Sequence, residues 1–292
     1  MGIVLGDNRY GKAETRLVRV TRRDGHHELR DLNVSIALSG DFEAVHLRGD
    51  NASVLPTDSQ KNTVYALAAE APVGEVEEFA LRLARHFVAT SGPVRRAVAR
   101  VEEFGWARIS VAGAPHPHAF RRDGSERRVA VVTCEAGVAW VVSGLDDLVV
   151  LKTTGSEFHG FARDRYTTLE ETRDRILATA VSARWLHRSA DADWAGSFAG
   201  ARRALLETFA GHHSLSLQQT LYEMGRALLE ARPEVAEVRL TMPNRHHLAV
   251  DLAPFGLASE GEVFFAADRP YGLIEGTVRR DDAPEAPARL DW

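Results

Sequence analysis

Seven short polar segments carry side chains able to grip or transform a small ligand. They are Arg9-Tyr10-Gly11-Lys12, Leu55–Thr63 with Thr57-Asp58 inside it, Val150–Phe161 with Phe158 near its end, Arg163–Leu169, Asp174–Leu177 with Arg175, Leu217–Tyr222 with Gln218, and Met242–His247. Thr57 or Asp58, just ahead of an expected helix, suits an N-cap. A helix N-terminus also turns free N–H groups toward an anion. Asn244 and His246 lie two apart on an expected strand and face one side, while His247 faces the other. Each residue has a plain alternative. Lys12 reads as a solvated strand lysine, Phe158 as core packing, Arg175 as half of a strand ion pair, Gln218 as a first-turn helix residue, and His246 as a hydrogen-bonded core histidine.

Other chemistries find no support. The chain lacks Gly-x-Gly-x-x-Gly, a P-loop, Cys-x-x-Cys, His-Glu-x-x-His and Gly-x-Ser-x-Gly. Twelve histidines are present, with adjacent pairs at His26-His27 and His212-His213 and a further two at His116 and His118. Neighbours on a strand point to opposite faces, so such pairs make no ligand set, and they are expected as exposed loop residues. No metal site is expected. Cys134 is the single cysteine, set in an apolar run, and reads as a small buried hydrophobe. The net charge of -5 leaves no basic footprint for nucleic acid. No apolar run of about 18 residues exists to span a membrane. The N-terminus does not read as a signal peptide, and the last residues are Ala-Arg-Leu-Asp-Trp rather than a peroxisomal Ser-Lys-Leu. A cytoplasmic location is expected.

The elements that must position these segments alternate in type. Lys12–Arg23 and Asp31–Leu38 alternate with period two around Asp24-Gly25, a hairpin signal. Helices are expected over Ser59–Glu70 and Val73–Thr90, the second stopped by Gly92-Pro93. Strands resume at Val94, with Asp123-Gly124 as a hairpin turn. The order then repeats. Strands are expected at Gly137–Val142, Leu148–Lys152 and Asp174–Leu186, although the spacing of Ile176, Ala180 and Ala183 also suits a helix. Helices follow at Trp194–Phe209 and Leu217–Arg232, then strands at Val235–Met242, His247–Leu252 and Gly272–Arg280. The acidic, proline-bearing stretch Asp281–Pro287 is expected to be a loop or disordered. The class is α+β, an antiparallel sheet with two helices on one face, present twice, in domains 1–136 and 137–292. Such a sheet leaves a bare face and bare edges, which predicts an oligomer.

Taken in order, from about Arg9 to about Gly276, these segments resemble urate oxidases. The resemblance implies two tandem T-fold units whose sheets close into barrels in a homotetramer, with active sites between subunits. It implies oxidation of urate by dioxygen and water to 5-hydroxyisourate and hydrogen peroxide, without metal or organic cofactor. Dioxygen is a triplet and urate a singlet, so a direct two-electron reaction is slow. Removing a further proton gives an anion that can donate one electron to oxygen. Lys12, Thr57 and His246 match the family's proton relay, with Thr57 contributed across the subunit interface. An amine is a base only where its charged form is costly, and imidazole shuttles protons near neutrality. Phe158 matches the aromatic that stacks on the purine. Arg175 and Gln218 match the pair that grips its carbonyl-bearing edges. Asp58 and Leu217 match positions whose backbone amides meet the ligand, though the family often has a smaller branched residue at Leu217. Asn244 matches the asparagine that holds oxygen or water above the ring. Two rivals are another T-fold purine or pterin enzyme and a catalytically inactive homologue. The former commonly uses an anchoring glutamate where this chain has Gln218, and the intact Lys12, Thr57 and His246 oppose the latter.

Overall fold

The computed structural model describes residues 2–258, 261–283, 287 and 290–292. Its strands are β1 (Tyr10–Arg23), β2 (His26–Gly40), β3 (Val94–Val111), β4 (Ala114–Glu135), β5 (Val138–Lys152), β6 (Leu177–His187), β7 (Val235–Ala249) and β8 (Phe264–Arg279). The helices are α1 (Glu43–Arg48), α2 (Thr57–Glu70), α3 (Val76–Thr90), α4 (Trp194–Gly211) and α5 (Leu217–Ala231). The strands hydrogen-bond in chain order, β1 through β8, in one eight-stranded antiparallel sheet. The α+β class thus stands.

The chain divides into two compact units, one of Met1–Gly144, Leu186–Ala195 and Pro284–Trp292, the other of Leu145–Trp185 and Gly196–Ala283. In the first, period-two alternation turns Leu32, Val34, Ile36 and Leu38 of β2 inward. There they meet Val76, Phe79, Leu83 and Phe87, the apolar stripe of α3. α3 is fixed at its start by a capping box between Glu75 and Glu78. The opposite face of this unit buries Val98, Val129, Val131 and Val142 beneath Leu290 and Trp292. The chain's own C-terminal residues therefore cover part of a face expected to wait for a second subunit. In the second unit Leu217, Leu221, Met224 and Leu228 of α5 pack with Val181, Trp185, Val238 and Leu240. Gly225 permits that approach, because a Cβ there would sit 2.6 Å from Val278. Cys134 is buried, and burial pushes its thiol pKa up.

Several expectations need correction. The β3–β4 reversal is at Ala112-Gly113, both with positive φ (51° and 82°), as the mirror-image hairpin turn requires. Asp123-Gly124 instead lies inside β4, where the register passes from Phe104↔Arg127 to Trp106↔Arg122, leaving a bulge. The paired strands expected at 137–152 and 235–252 are single strands, β5 with Asp147 at φ 56° and β7 with an irregularity after Asn244. Asp174–Ile176 precede β6 rather than open it. α1 was not expected. Its last turn ends on Gly49 at φ 67°. His26, His27, His116 and His118 lie on β2 and β4, with the His116 and His118 rings 4.5 Å apart, not in loops. Of the expected loop Asp281–Pro287, residues 284–286 lie outside the described residues.

Candidate active site

The loop after β5 folds into a short hub in the second unit. Ser156 bridges Ser214 in parallel fashion, and Phe158 pairs with Thr172. The Glu157 N–H donates to the Ser214 carbonyl at 2.7 Å, and the Arg175 N–H donates to the Ser156 carbonyl at 2.9 Å. Phe158 and Thr172 exchange both backbone bonds, at 2.8 and 3.0 Å. Main-chain bonds therefore hold Phe158, Arg175 and the entry to α5 together. That entry is capped by Ser216, whose Oγ accepts the Gln219 N–H at 3.1 Å. Leu217 and Gln218 are left in the first turn, where amides have no intrahelical acceptor and the helix end is electropositive.

Around this hub lies a cavity of about 800 Å³ whose lining includes Phe158, Arg175, Leu217, Gln218, Asn244 and His246. The Arg175 guanidinium sits 5.1 Å from the centre of the Phe158 ring. It is half-buried, and burial pulls its pKa below the ordinary arginine range. Its Nε is buried with no hydrogen-bond partner among the described residues. The adjacent Asp174 carboxylate accepts instead from the Thr154 hydroxyl at 2.8 Å and the Gly155 N–H at 3.1 Å, and forms no ion pair with Arg175 among the described residues. A desolvated cation with a vacant donor beside an aromatic face suits a flat anion. Asn244 and His246 reach the cavity by way of the β7 irregularity, where the register passes from Asn244↔Gly272 to His246↔Ala267. His247 also lines the cavity, so the expected strict alternation fails at this bulge.

Lys12, Thr57 and Asp58 stand in the first unit. Lys12 is half-buried on β1, next to a register break at Lys12/Thr15. Gly11 is obligatory, since a Cβ there would fall 1.8 Å from the Ile36 carbonyl oxygen. α2 begins at Thr57 itself, with Pro56 at the cap position and no side-chain cap, so neither Thr57 nor Asp58 is an N-cap. Proline's fixed φ already sets the chain's entry angle there. Thr57 is exposed, and Asp58 binds Lys61 and, at 3.1 Å, Asn62. The Asp58 carboxyl is held below its usual range chiefly by Lys61, with Lys12 adding a smaller pull. Lys12 and the Thr57-Asp58 turn thus lie within electrostatic reach of one another in the first unit.

Tyr10 was not singled out from sequence, although it lies within the Arg9–Lys12 segment. Its hydroxyl accepts the Leu55 N–H at 3.0 Å, and its ring meets Phe42 edge-on at 4.9 Å. Gln60 reaches back to the Leu55 carbonyl at 3.3 Å. Tyr10 therefore positions the turn bearing Thr57 against the strand bearing Lys12.

The uricase family profile matches residues 8–133 and 141–275. The chain belongs to the uricase family. It is 53% identical to the uricase of Arthrobacter globiformis over 279 residues, covering 96% of this chain and 91% of that protein. It is 37% identical to the uricase of Dictyostelium discoideum, covering 94% and 96% respectively. The crystal structure of Arthrobacter globiformis uricase superposes with a TM-score of 0.94 at 51% identity over 99% of both chains. That crystal structure thus shares this chain's fold over nearly its whole length.

Proposed function

We propose that this uricase-family chain is a urate oxidase, joining urate, dioxygen and water to give 5-hydroxyisourate and hydrogen peroxide. The Arg175 guanidinium, whose buried Nε has no hydrogen-bond partner among the described residues, lies beside the Phe158 ring and carries this proposal, since together they offer charge and a flat wall to an anionic purine. Phe158 stacks on the ring, Arg175 and Gln218 hold its carbonyl edges, and the amides of Asp58 and Leu217 complete the grip. Lys12, through Thr57, takes up a proton, and His246 relays it. The resulting electron-rich anion passes an electron to oxygen, and Asn244 holds oxygen or water over the ring. Neither metal nor organic cofactor enters this chemistry.

The site is completed across a subunit interface in a homotetramer of closed barrels, each chain being two tandem T-fold units divided near residue 136. Exposed apolar side chains on the two terminal strands favour such closure: Val18 on β1, and Phe265, Tyr271 and Leu273 on β8. Among the described residues no helix is long and apolar enough to cross a membrane. The proposed location is cytoplasmic.

The test is turnover of urate in air with a chelator present, following loss of urate absorbance and appearance of peroxide. Chelator-resistant turnover is the expected result. Zinc dependence, or no turnover at all, would overturn the proposal.

A further inference from the structure

The Glu157 carboxylate joins the segment carrying Phe158 to the loop that enters α5. One oxygen lies 2.5 Å from Nε2 of His213, the other 2.9 Å from Nε2 of His159. Arg173 stands farther off, at 4.0 Å. The Glu157 side chain is only 17% exposed, whereas His213 is largely open to solvent. None of Glu157, His159 and His213 lines the cavity. His213 is four residues ahead of Leu217, and His159 follows Phe158 directly. Bonds from the imidazoles keep the carboxyl below its usual range, with His213 the largest influence and burial opposing it.

We propose that Glu157 is a positioning residue: gripping His213 and His159, it fixes the gap between the Phe158 ring and the α5 N-terminus bearing Leu217 and Gln218. The main-chain bond from Glu157 to Ser214 sets the hub's register. The side-chain bridge restrains the hinge between that register and the first helical turn. Binding of a rigid planar ligand between a ring and a helix end is sensitive to small errors in their separation. A partly exposed side-chain bridge adds little to overall stability, so it acts on ligand geometry rather than on folding. The inference rests on the purine-binding role given above to the same cavity.

The experiment compares the full-length protein with Glu157→Gln, Glu157→Ala, His213→Gln and the Glu157→Ala/His213→Gln double variant. Steady-state kinetics with urate, calorimetric affinity for a non-oxidisable purinedione, and melting temperature are measured for each. KM and the purinedione Kd are expected to rise about five- to twentyfold with kcat within about twofold. The double variant should be no worse than the worse single, because both residues act through one contact. Unchanged Kd in the variants, or a fall in melting temperature without a KM change, would overturn the inference. A wild-type protein inert toward urate would instead count against the proposed reaction. The purinedione Kd would still decide whether Glu157 sets the clamp.

Discussion

The guanidinium of Arg175 lies 5.1 Å from the centre of the Phe158 ring and leaves its buried Nε without a partner among the described residues. Most buried polar atoms in folded proteins are satisfied internally or by water. Arg175 Nε is one of several exceptions among the described residues, and its residue lines the cavity together with Gln218, Asn244 and His246.

Replacing Arg175 separates binding from stability. Arg175→Met removes a charge that no carboxylate shares among the described residues, so no ion-pair partner there is stranded. Urate KM should rise about tenfold to several hundredfold, as for loss of one or two charge-assisted hydrogen bonds. The melting temperature should hold or increase, because a half-buried, incompletely solvated cation is gone. Kinetics alongside calorimetric melting check this, and a marked loss of stability with unaltered KM would contradict it.

Tyr10→Phe keeps the ring against Phe42 but deletes the acceptor of the Leu55 N–H. The turn holding Thr57 then loses its tie to the strand holding Lys12. Turnover should fall about three- to tenfold while KM changes little, as expected when one hydrogen bond of about 1 kcal/mol is lost from a positioning contact. An unchanged kcat would show that Pro56 and Gln60 suffice to place the turn.

Mixed oligomers test the proposed sharing of the site between subunits. Lys12 and the Thr57-Asp58 turn both stand in the first unit, so Lys12→Met and Thr57→Ala are expected to damage the same half of the proposed site. Hybrids of those two variants should stay nearly inactive. Hybrids of Lys12→Met with Arg175→Met should recover part of wild-type turnover, since intact halves from different subunits can meet. Co-expression with two affinity tags and assay of doubly selected oligomers distinguishes the outcomes. Recovery in the first hybrid and silence in the second would reject this division.

Glu77 lies at 0% exposure, accepting from Arg128 at 2.7 Å and from the Ser143 hydroxyl at 2.7 Å. Arg128 also donates to Glu75 and to the Trp194 carbonyl. Arg128→Met should destabilise by about 3–5 kcal/mol, the usual result of stranding one member of a buried ion pair. Burial pushes the Glu77 carboxyl above its ordinary value, against the pull of Arg128. A carboxyl raised in the folded state binds its proton more tightly there than when unfolded. Its contribution is therefore fullest below the unfolded value and is lost as pH rises through the folded one. Melting curves from acid to neutral pH should show this loss in the wild type and a flatter profile in Glu77→Gln.

The helices and strands were largely legible because their signals are local. The α3 stripe of Phe79, Leu83 and Phe87 and the β2 alternation of Leu32, Val34, Ile36 and Leu38 each express a single periodicity. Misreadings fell where two local signals competed. Asp123-Gly124 has turn chemistry but sits in a bulge, because Ala112-Gly113 already reverses the chain. Thr57 and Asp58 are good capping residues, yet Pro56 starts the helix one step earlier.

Sequence by itself determined which residue types are available to the proposed site, because Lys12, Thr57, Phe158, Arg175, Gln218, Asn244 and His246 each sit in a short, distinctive run. It also determined the alternation of strands and helices, which depends on neighbours a few positions apart. Only the tertiary structure decided that Arg175 Nε is left without a hydrogen-bond partner among the described residues, that Tyr10 holds Leu55 across 45 residues, and that Glu157 bridges to His213 across 56. These depend on contacts between distant segments, whose distances no local pattern encodes, and on burial, which makes an unmatched charge or donor consequential.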